Sequence, residues 1–137
     1  MTEPRSPTVD LETFFGPLEV RVLDALWSRS GPVRVRDLLP GFPGVAYTTI
    51  MTTLDRLYRK GVLVRDKRGR AFAYRPAATR DELGSELVGS ALASLFPGDP
   101  GSIRPLISTF VDEVGRRDVA LLDELEKQIR RRREEIE

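Results

Sequence analysis

The residues best suited to chemistry lie between Tyr47 and Arg75. From Tyr47 to Lys60, apolar residues recur three and four apart: Tyr47, Ile50, Leu54, Leu57 and Tyr58. That spacing predicts an amphipathic helix with this stripe turned to a core. With Leu54 set inward, Thr49, Thr52 and Arg56 point almost directly away from the core, and Thr48 and Arg59 flank them. Three threonines and two arginines on one face suit the edges of base pairs. The hydroxyls donate or accept, the threonine methyls can meet a thymine methyl, and arginine reaches guanine or phosphate. Threonines on a helix are often merely solvated, so no single residue decides the matter. The combination does, because a purely solvated face favours Glu, Lys and Gln over β-branched threonine. Tyr47 begins the run, and Met51, on the flank of the wheel, fits either the core or the outward face.

A second group is electrostatic. Between Arg56 and Arg75, eight basic residues (Arg56, Arg59, Lys60, Arg65, Lys67, Arg68, Arg70 and Arg75) stand against one acid, Asp66. The stretch therefore carries +7, and the rest of the chain must carry −6 to give the overall +1. A basic segment inside an otherwise acidic chain is the electrostatic footprint of a polyanion partner. The candidate nucleic-acid contacts are Tyr47, Thr48, Thr49, Met51, Thr52, Arg56, Arg59, Lys67, Arg68 and Arg70.

Other chemistries lack their usual residues. The chain has no cysteine and no histidine, so disulfides, thiolate metal sites and the commonest general base are missing. No Gly-rich phosphate loop is visible. The acid pairs Asp112-Glu113 and Asp123-Glu124 sit at adjacent helical positions that face different ways, as solvated residues do. An enzyme is the least favoured class, and no metal or cofactor is expected. The 137 residues include 40% hydrophobic and 31% charged residues, the composition of a globular protein. No apolar run is long enough to span a bilayer, and Met1 to Asp10 does not look like a secretory signal. A cytoplasmic location is expected.

The elements that must position these residues can be read from the flanking chain. Met1 to Asp10, with two prolines and no periodicity, is expected to be a flexible arm. Leu18, Val22, Leu23, Leu26 and Trp27 mark a first helix closed by Gly31-Pro32. Val35 to Leu39 makes a short second helix, stopped by Pro40-Gly41, with a turn from Gly41 to Val45. The third helix is Tyr47 to Lys60, with Gly61 at its left-handed cap. The period then shortens to two. Val62 and Val64 alternate with Leu63 and Arg65, and Phe72 and Tyr74 with Ala71 and Ala73, around a turn from Asp66 to Arg70. Trp27 and Tyr74 are expected in the core. Helix, short helix, turn, helix and basic hairpin is the plan of a winged helix-turn-helix domain, assigned to residues 11–77.

Residues 78–137 read as helices. Thr79 and Glu82 form a capping box ahead of Leu83, Leu87, Val88, Leu92 and Leu95. Pro97 to Gly101 is a break, Ser102 caps a helix from Ile103 to Val114, and a last helix from about Asp118 turns Val119, Leu122, Leu125 and Ile129 inward. Its charged tail from Arg130 is expected to fray. Three amphipathic helices after a complete domain need a partner for their apolar faces, and symmetric pairing is the commonest answer. Leu87, Leu92, Ile107, Phe110, Leu122 and Leu125 are the candidate homodimer contacts. The fold class is thus mainly α with a small β-hairpin wing, followed by a helical dimerisation region.

The run from Tyr47 through Thr48, Thr49, Ile50, Met51, Thr52, Thr53, Leu54, Asp55 and Arg56 to Leu57, followed by Arg59-Lys60-Gly61 and Gly69 to Tyr74, resembles the penicillinase-repressor (BlaI/MecI) family. Pro17-Leu18-Glu19-Val20 to Trp27 resembles that family's first helix. The likeness is specific from Leu18 to Arg75 and rests on helix order after Thr79. It implies a cytoplasmic, dimeric repressor on a palindromic operator, with half-sites about one helical turn apart. In members that govern β-lactam resistance, a sensor-linked protease cuts the dimerisation segment. The matching bond is Thr109–Phe110. Threonine replaces the family's usual asparagine, which argues against proteolytic induction. Copper-responsive relatives carry C-terminal cysteines, which this chain lacks. Two alternatives stand beside the repressor: a ligand-sensing winged-helix regulator, and a winged helix used for protein–protein contact. No polar cluster marks a ligand cavity, and the basic wing argues against the second.

Overall fold

The computed structural model describes residues 9–96 and 98–137. Most of the expected N-terminal arm, residues 1–8, lies outside the described residues. Asp10 already belongs to the fold. Its Oδ1 accepts from the Glu12 N–H at 3.1 Å and opens a 3-10 turn, Leu11–Thr13, that buries Leu11.

Helix α1, Pro17–Trp27, starts where sequence chemistry says it should. Pro17 occupies the first turn, where its missing N–H costs nothing, and the Glu19 carboxylate accepts from the Gly16 N–H at 2.9 Å. Helix α2, Val35–Leu38, is a single turn whose Asp37 Oδ2 accepts from the Arg34 N–H at 2.9 Å. It tightens into a 3-10 turn, Leu39–Gly41, so Pro40 continues the turn instead of stopping it. Helix α3, Tyr47–Arg59, ends as expected: Gly61 follows at φ +80°, a conformation that a Cβ would disfavour.

The hairpin consists of β1, Leu63–Arg68, and β2, Ala71–Pro76, paired antiparallel from Leu63↔Pro76 to Arg68↔Ala71. The connection is therefore the two residues Gly69 and Arg70, with Gly69 at φ +67°. The longer turn expected from Asp66 to Arg70 is replaced by strand through Arg68, because a two-residue turn matches strand twist best. Val33 adds a short third segment. It exchanges N–H···O bonds with Tyr74 at 2.8 Å in both directions.

The core of this part joins Val22, Leu23 and Leu26 of α1, Ile50, Leu54 and Leu57 of α3, Leu38 of α2, and Leu63 and Tyr74 of the hairpin. Thr53 is buried with them, its hydroxyl donating to the Thr49 carbonyl at 2.8 Å. Trp27 packs against this core and donates from Nε1 to the Ala78 carbonyl at 2.9 Å. Two residues of the expected stripe are not buried: Tyr47 is 48% exposed and Tyr58 38%. Tyr47 is the first residue of α3 and projects past the elements that cover Ile50 to Leu57. Tyr58 sits at the edge of the stripe, beneath a guanidinium of the hairpin. Phe72 of the hairpin is likewise 38% exposed, bordering a hollow beside α3 with Met51 and Asp55.

Helix α4, Arg80–Leu95, opens with the expected box. Thr79 N–H donates to Glu82 Oε1 at 2.9 Å, and Glu82 N–H to Thr79 Oγ1 at 3.2 Å. Leu83 is buried and Leu87 packs against the same core, so the first compact unit extends to Ser90. The second unit, Ala91–Glu137, holds the end of α4 with α5, Pro100–Arg117, and α6, Ala120–Ile136. Helix α5 begins earlier than expected, with Asp99 at the cap position and Ser102 inside. The Ser102 hydroxyl donates to Asp99 Oδ2 at 3.0 Å. Proline at a first turn explains the shift. Pro105 lies in the interior of α5 without an N–H to give. Gly115 lets α5 and α6 approach: a Cβ there would stand 3.3 Å from Leu122 Cδ1. In α6, Val119 and Ile129, expected inward, are 73% and 48% exposed. The helix runs through the charged tail to Ile136, with Arg132 paired to Glu135 at 3.3 Å. Neither α5 nor α6 buries any described residue.

Candidate nucleic-acid interface

Each outward residue of α3 stands where helical geometry puts it. Thr48, Thr49, Thr52 and Arg56 are exposed, and with Gly16, Pro17 and Leu18 of the α1 start they line a hollow of about 430 Å³. Arg56 has no acidic partner within 4 Å among the described residues. Glu19 borders the same hollow. Burial pushes its carboxyl up. The Gly16 N–H and the Lys60 ammonium, with Arg56 adding its field, outweigh that and hold it below the usual carboxylate range. Glu19 therefore stays ionised, held by Lys60 at 3.1 Å.

The other cations divide into two sets. Asp55 is shared: Arg59 Nε reaches one of its oxygens at 2.9 Å and Arg65 Nη1 the other at 3.1 Å. The Arg65 guanidinium also lies between two rings, 3.9 Å from the Tyr58 centroid and 4.0 Å from that of Phe72. One side chain thus fastens the wing to α3 by charge and by cation–π attraction together. Arg59, Lys60 and Arg65 have acidic partners. Arg56, Lys67, Arg68, Arg70 and Arg75 have none within 4 Å among the described residues. The +7 of the stretch overstates the field available to a polyanion, because Asp55, just outside it, neutralises Arg59 one turn away and Arg65 across the fold, and Glu19 holds Lys60.

Lys67, Arg68 and Arg70 are exposed at the wing tip, as the sequence predicts. Lys67 pairs across the ladder with Phe72 and Arg68 with Ala71, so these neighbouring side chains leave opposite faces of the hairpin. Met51 is exposed between α3 and the wing. It faces Asp55, Arg65 and Phe72 on one side and Tyr47 and Arg70 on the other. The sequence reading missed Asp55 and Arg65. Arg65 was counted only as charge, yet its i−10 relation to Asp55 is visible only once the hairpin folds back. It also missed Arg34, at the N-cap of α2, and Arg36, within α2, which lie beside Tyr47 and Met51.

The residues assigned to pairing fall in different places. Leu87 packs on the core of the first unit. Leu92, Ile107 and Phe110 are exposed and, with Leu95, Phe96 and Leu106, line an apolar hollow of about 330 Å³ within the second unit. Leu122 and Leu125 are half-buried. Thr109 and Phe110 lie in mid-α5, and the Thr109 hydroxyl donates to the Pro105 carbonyl at 3.0 Å. Among the described residues no group of acids could hold a metal, and no helix is long and apolar enough to cross a membrane.

A short helix, an exposed helix and a β-hairpin over one core define a winged helix-turn-helix protein. The penicillinase repressor family model matches residues 15–131, and the chain belongs to that family. It is a transcriptional repressor and not an enzyme. It is 41% identical over 106 residues to the transcriptional regulator BlaI of Mycobacterium tuberculosis, in both strain CDC 1551 / Oshkosh and strain ATCC 25618 / H37Rv. The match covers 75% of this chain and 75% of each relative. Among solved structures, Rv0081 of M. tuberculosis matches with a TM-score of 0.44 at 28% identity, over 62% of this chain and 80% of that one.

Proposed function

We propose that this chain represses transcription by binding a palindromic DNA operator as a homodimer. The exposed threonine face of α3, with Arg56 unpaired at its centre, carries the reading. In the bound state α3 lies in the major groove. Thr48, Thr49, Thr52 and Arg56 meet base edges there, while Lys67, Arg68 and Arg70 hold the neighbouring backbone. Tyr47 and Met51 border this face, and Arg59, already tied to Asp55, contributes less charge than its position suggests. A mobility-shift assay with DNA from upstream of the protein's own gene tests the reading. A salt-sensitive complex is expected, and no complex at low salt refutes it.

Pairing rests on the second unit. The end of α4 and α5 leave Leu92, Ile107 and Phe110 exposed around an apolar hollow, and a second copy covers such a surface most simply. Two subunits then present two α3 helices to half-sites about 34 Å apart. This mode of action places the protein in the cytoplasm, with its DNA. Cleavage at Thr109–Phe110 by a sensor-linked protease is a second reading of how repression ends. Both residues are exposed. The bond sits within a helix, however, and must unwind before a protease can take it as an extended strand.

A further inference from the structure

A hollow beside the start of α3 holds two cations, Arg34 and Arg36, that neither the threonine face nor the wing contacts described above use. It encloses about 440 Å³ and brings Arg34, at the N-cap of α2, and Arg36, within α2, to Arg70 of the wing turn. Tyr47, Met51 and Phe72 form its apolar wall, and no acid lines it. None of the three arginines has an acidic partner within 4 Å among the described residues. The nearest carboxylate on their own element, Asp37, is engaged by the Arg34 N–H at 2.9 Å.

This is an unusual surface to leave to water. Three guanidinium groups facing one hollow repel one another, and the exposed rings and thioether beside them gain nothing from solvent. Both features find a match in a single ligand, a phosphodiester strand. Arginine forks hold phosphate oxygens bidentately, and the deoxyribose offers an apolar surface to Tyr47, Met51 and Phe72. The hollow shares Tyr47 and Met51 with α3 and Arg70 with the wing. A strand lying in it therefore belongs to the same duplex.

We propose that Arg34 and Arg36, with Arg70, form a backbone clamp that grips the DNA strand flanking the half-site. The proposal rests on the DNA-binding reading above and adds residues that are remote in sequence from α3. The clamp supplies affinity without sequence preference, because it touches phosphate and sugar.

The test uses the full chain, a short random-sequence duplex and a duplex from upstream of its own gene. Affinities are measured over a range of salt for wild type, R34A/R36A and R34K/R36K. The alanine pair is expected to flatten the salt dependence by about 0.9 per lost phosphate contact, close to two in all, on both duplexes alike. The lysine pair keeps the charge and is expected to keep most of the slope. Thermal unfolding of each variant establishes that it folds; Arg36 is exposed and Arg34 half-buried. A wild-type slope in a folded R34A/R36A overturns the clamp and leaves the repressor reading intact. A lysine pair as flat as the alanine pair also overturns it, since charge is then not what the hollow supplies. Failure of wild type to bind either duplex overturns the repressor reading and the clamp with it.

Discussion

Arg56 stands at the centre of the α3 outward face with no carboxylate within 4 Å among the described residues, three residues from Arg59, whose guanidinium is tied to Asp55. The two arginines are thus unequal although they lie on neighbouring turns of one helix. Arg56→Ala is expected to weaken operator binding by about 1–3 kcal/mol, the usual worth of a base-reading arginine. Arg59→Ala is expected to cost far less, and titrations on one operator duplex compare them directly. Glu19 makes a different kind of contribution. Its carboxyl lies below the usual range in the folded chain, so it stabilises the fold above the unfolded value of 4.5. That stability is lost as pH falls through the lower, folded value. Glu19→Gln is expected to lower the melting temperature at neutral pH, and the difference from wild type is expected to shrink as the pH falls below 4.5. Equal differences at both pH values would show that the Lys60 and Gly16 contacts do not depend on ionisation.

At the scale of elements, the wing is held by one residue in particular. Arg65 is 22% exposed in its side chain and joins Tyr58, Phe72 and Asp55. Cation–π contacts of this kind are worth about 0.5–1 kcal/mol each, and an exposed ion pair less than about 1 kcal/mol. Arg65→Ala is therefore expected to cost about 1–2 kcal/mol of stability. Amide exchange should speed up in β1 and β2 while α1 and the centre of α3 keep their protection. Uniform loss of protection would mean that Arg65 supports the whole core and not the hairpin. The wing tip acts through charge instead. Replacing Lys67, Arg68 and Arg70 together by alanine is expected to flatten the salt dependence of DNA binding by about 0.9 for each phosphate contact removed. An unaltered slope would show that the hairpin does not meet the backbone.

At the scale of the molecule, the two compact units differ in kind. The first has a closed core in which Leu23, Leu26, Ile50, Leu54 and Leu57 are shut away from water. The second buries no described residue in α5 or α6 and keeps an apolar hollow. In the dimer proposed above, a second copy covers that hollow. Phe110→Asp is expected to weaken pairing by at least about 2 kcal/mol, as for a buried interface aromatic. It should also reduce operator affinity by removing the second set of phosphate contacts. Sedimentation equilibrium reads the first effect, and a dimer of unchanged strength would place the interface elsewhere.

The sequence by itself determined the order of elements, the core faces of α1 and of the centre of α3, and the residue types on α3. Those depend on local periodicity and local caps: the spacing of Ile50, Leu54 and Leu57, the Thr79–Glu82 box, and glycine at position 61 where φ is positive. Tertiary structure alone decided which charges stay free and which apolar residues stay outside. Glu19 meets Lys60 across 41 positions, and Asp55 meets Arg65 only when the hairpin returns to α3. Tyr47, Tyr58 and Phe72 fit an apolar pattern, but they stand exposed, and Tyr58 and Phe72 serve as surfaces for Arg65. Periodicity records which way a side chain leaves its own element. It holds no record of what another element brings to meet it.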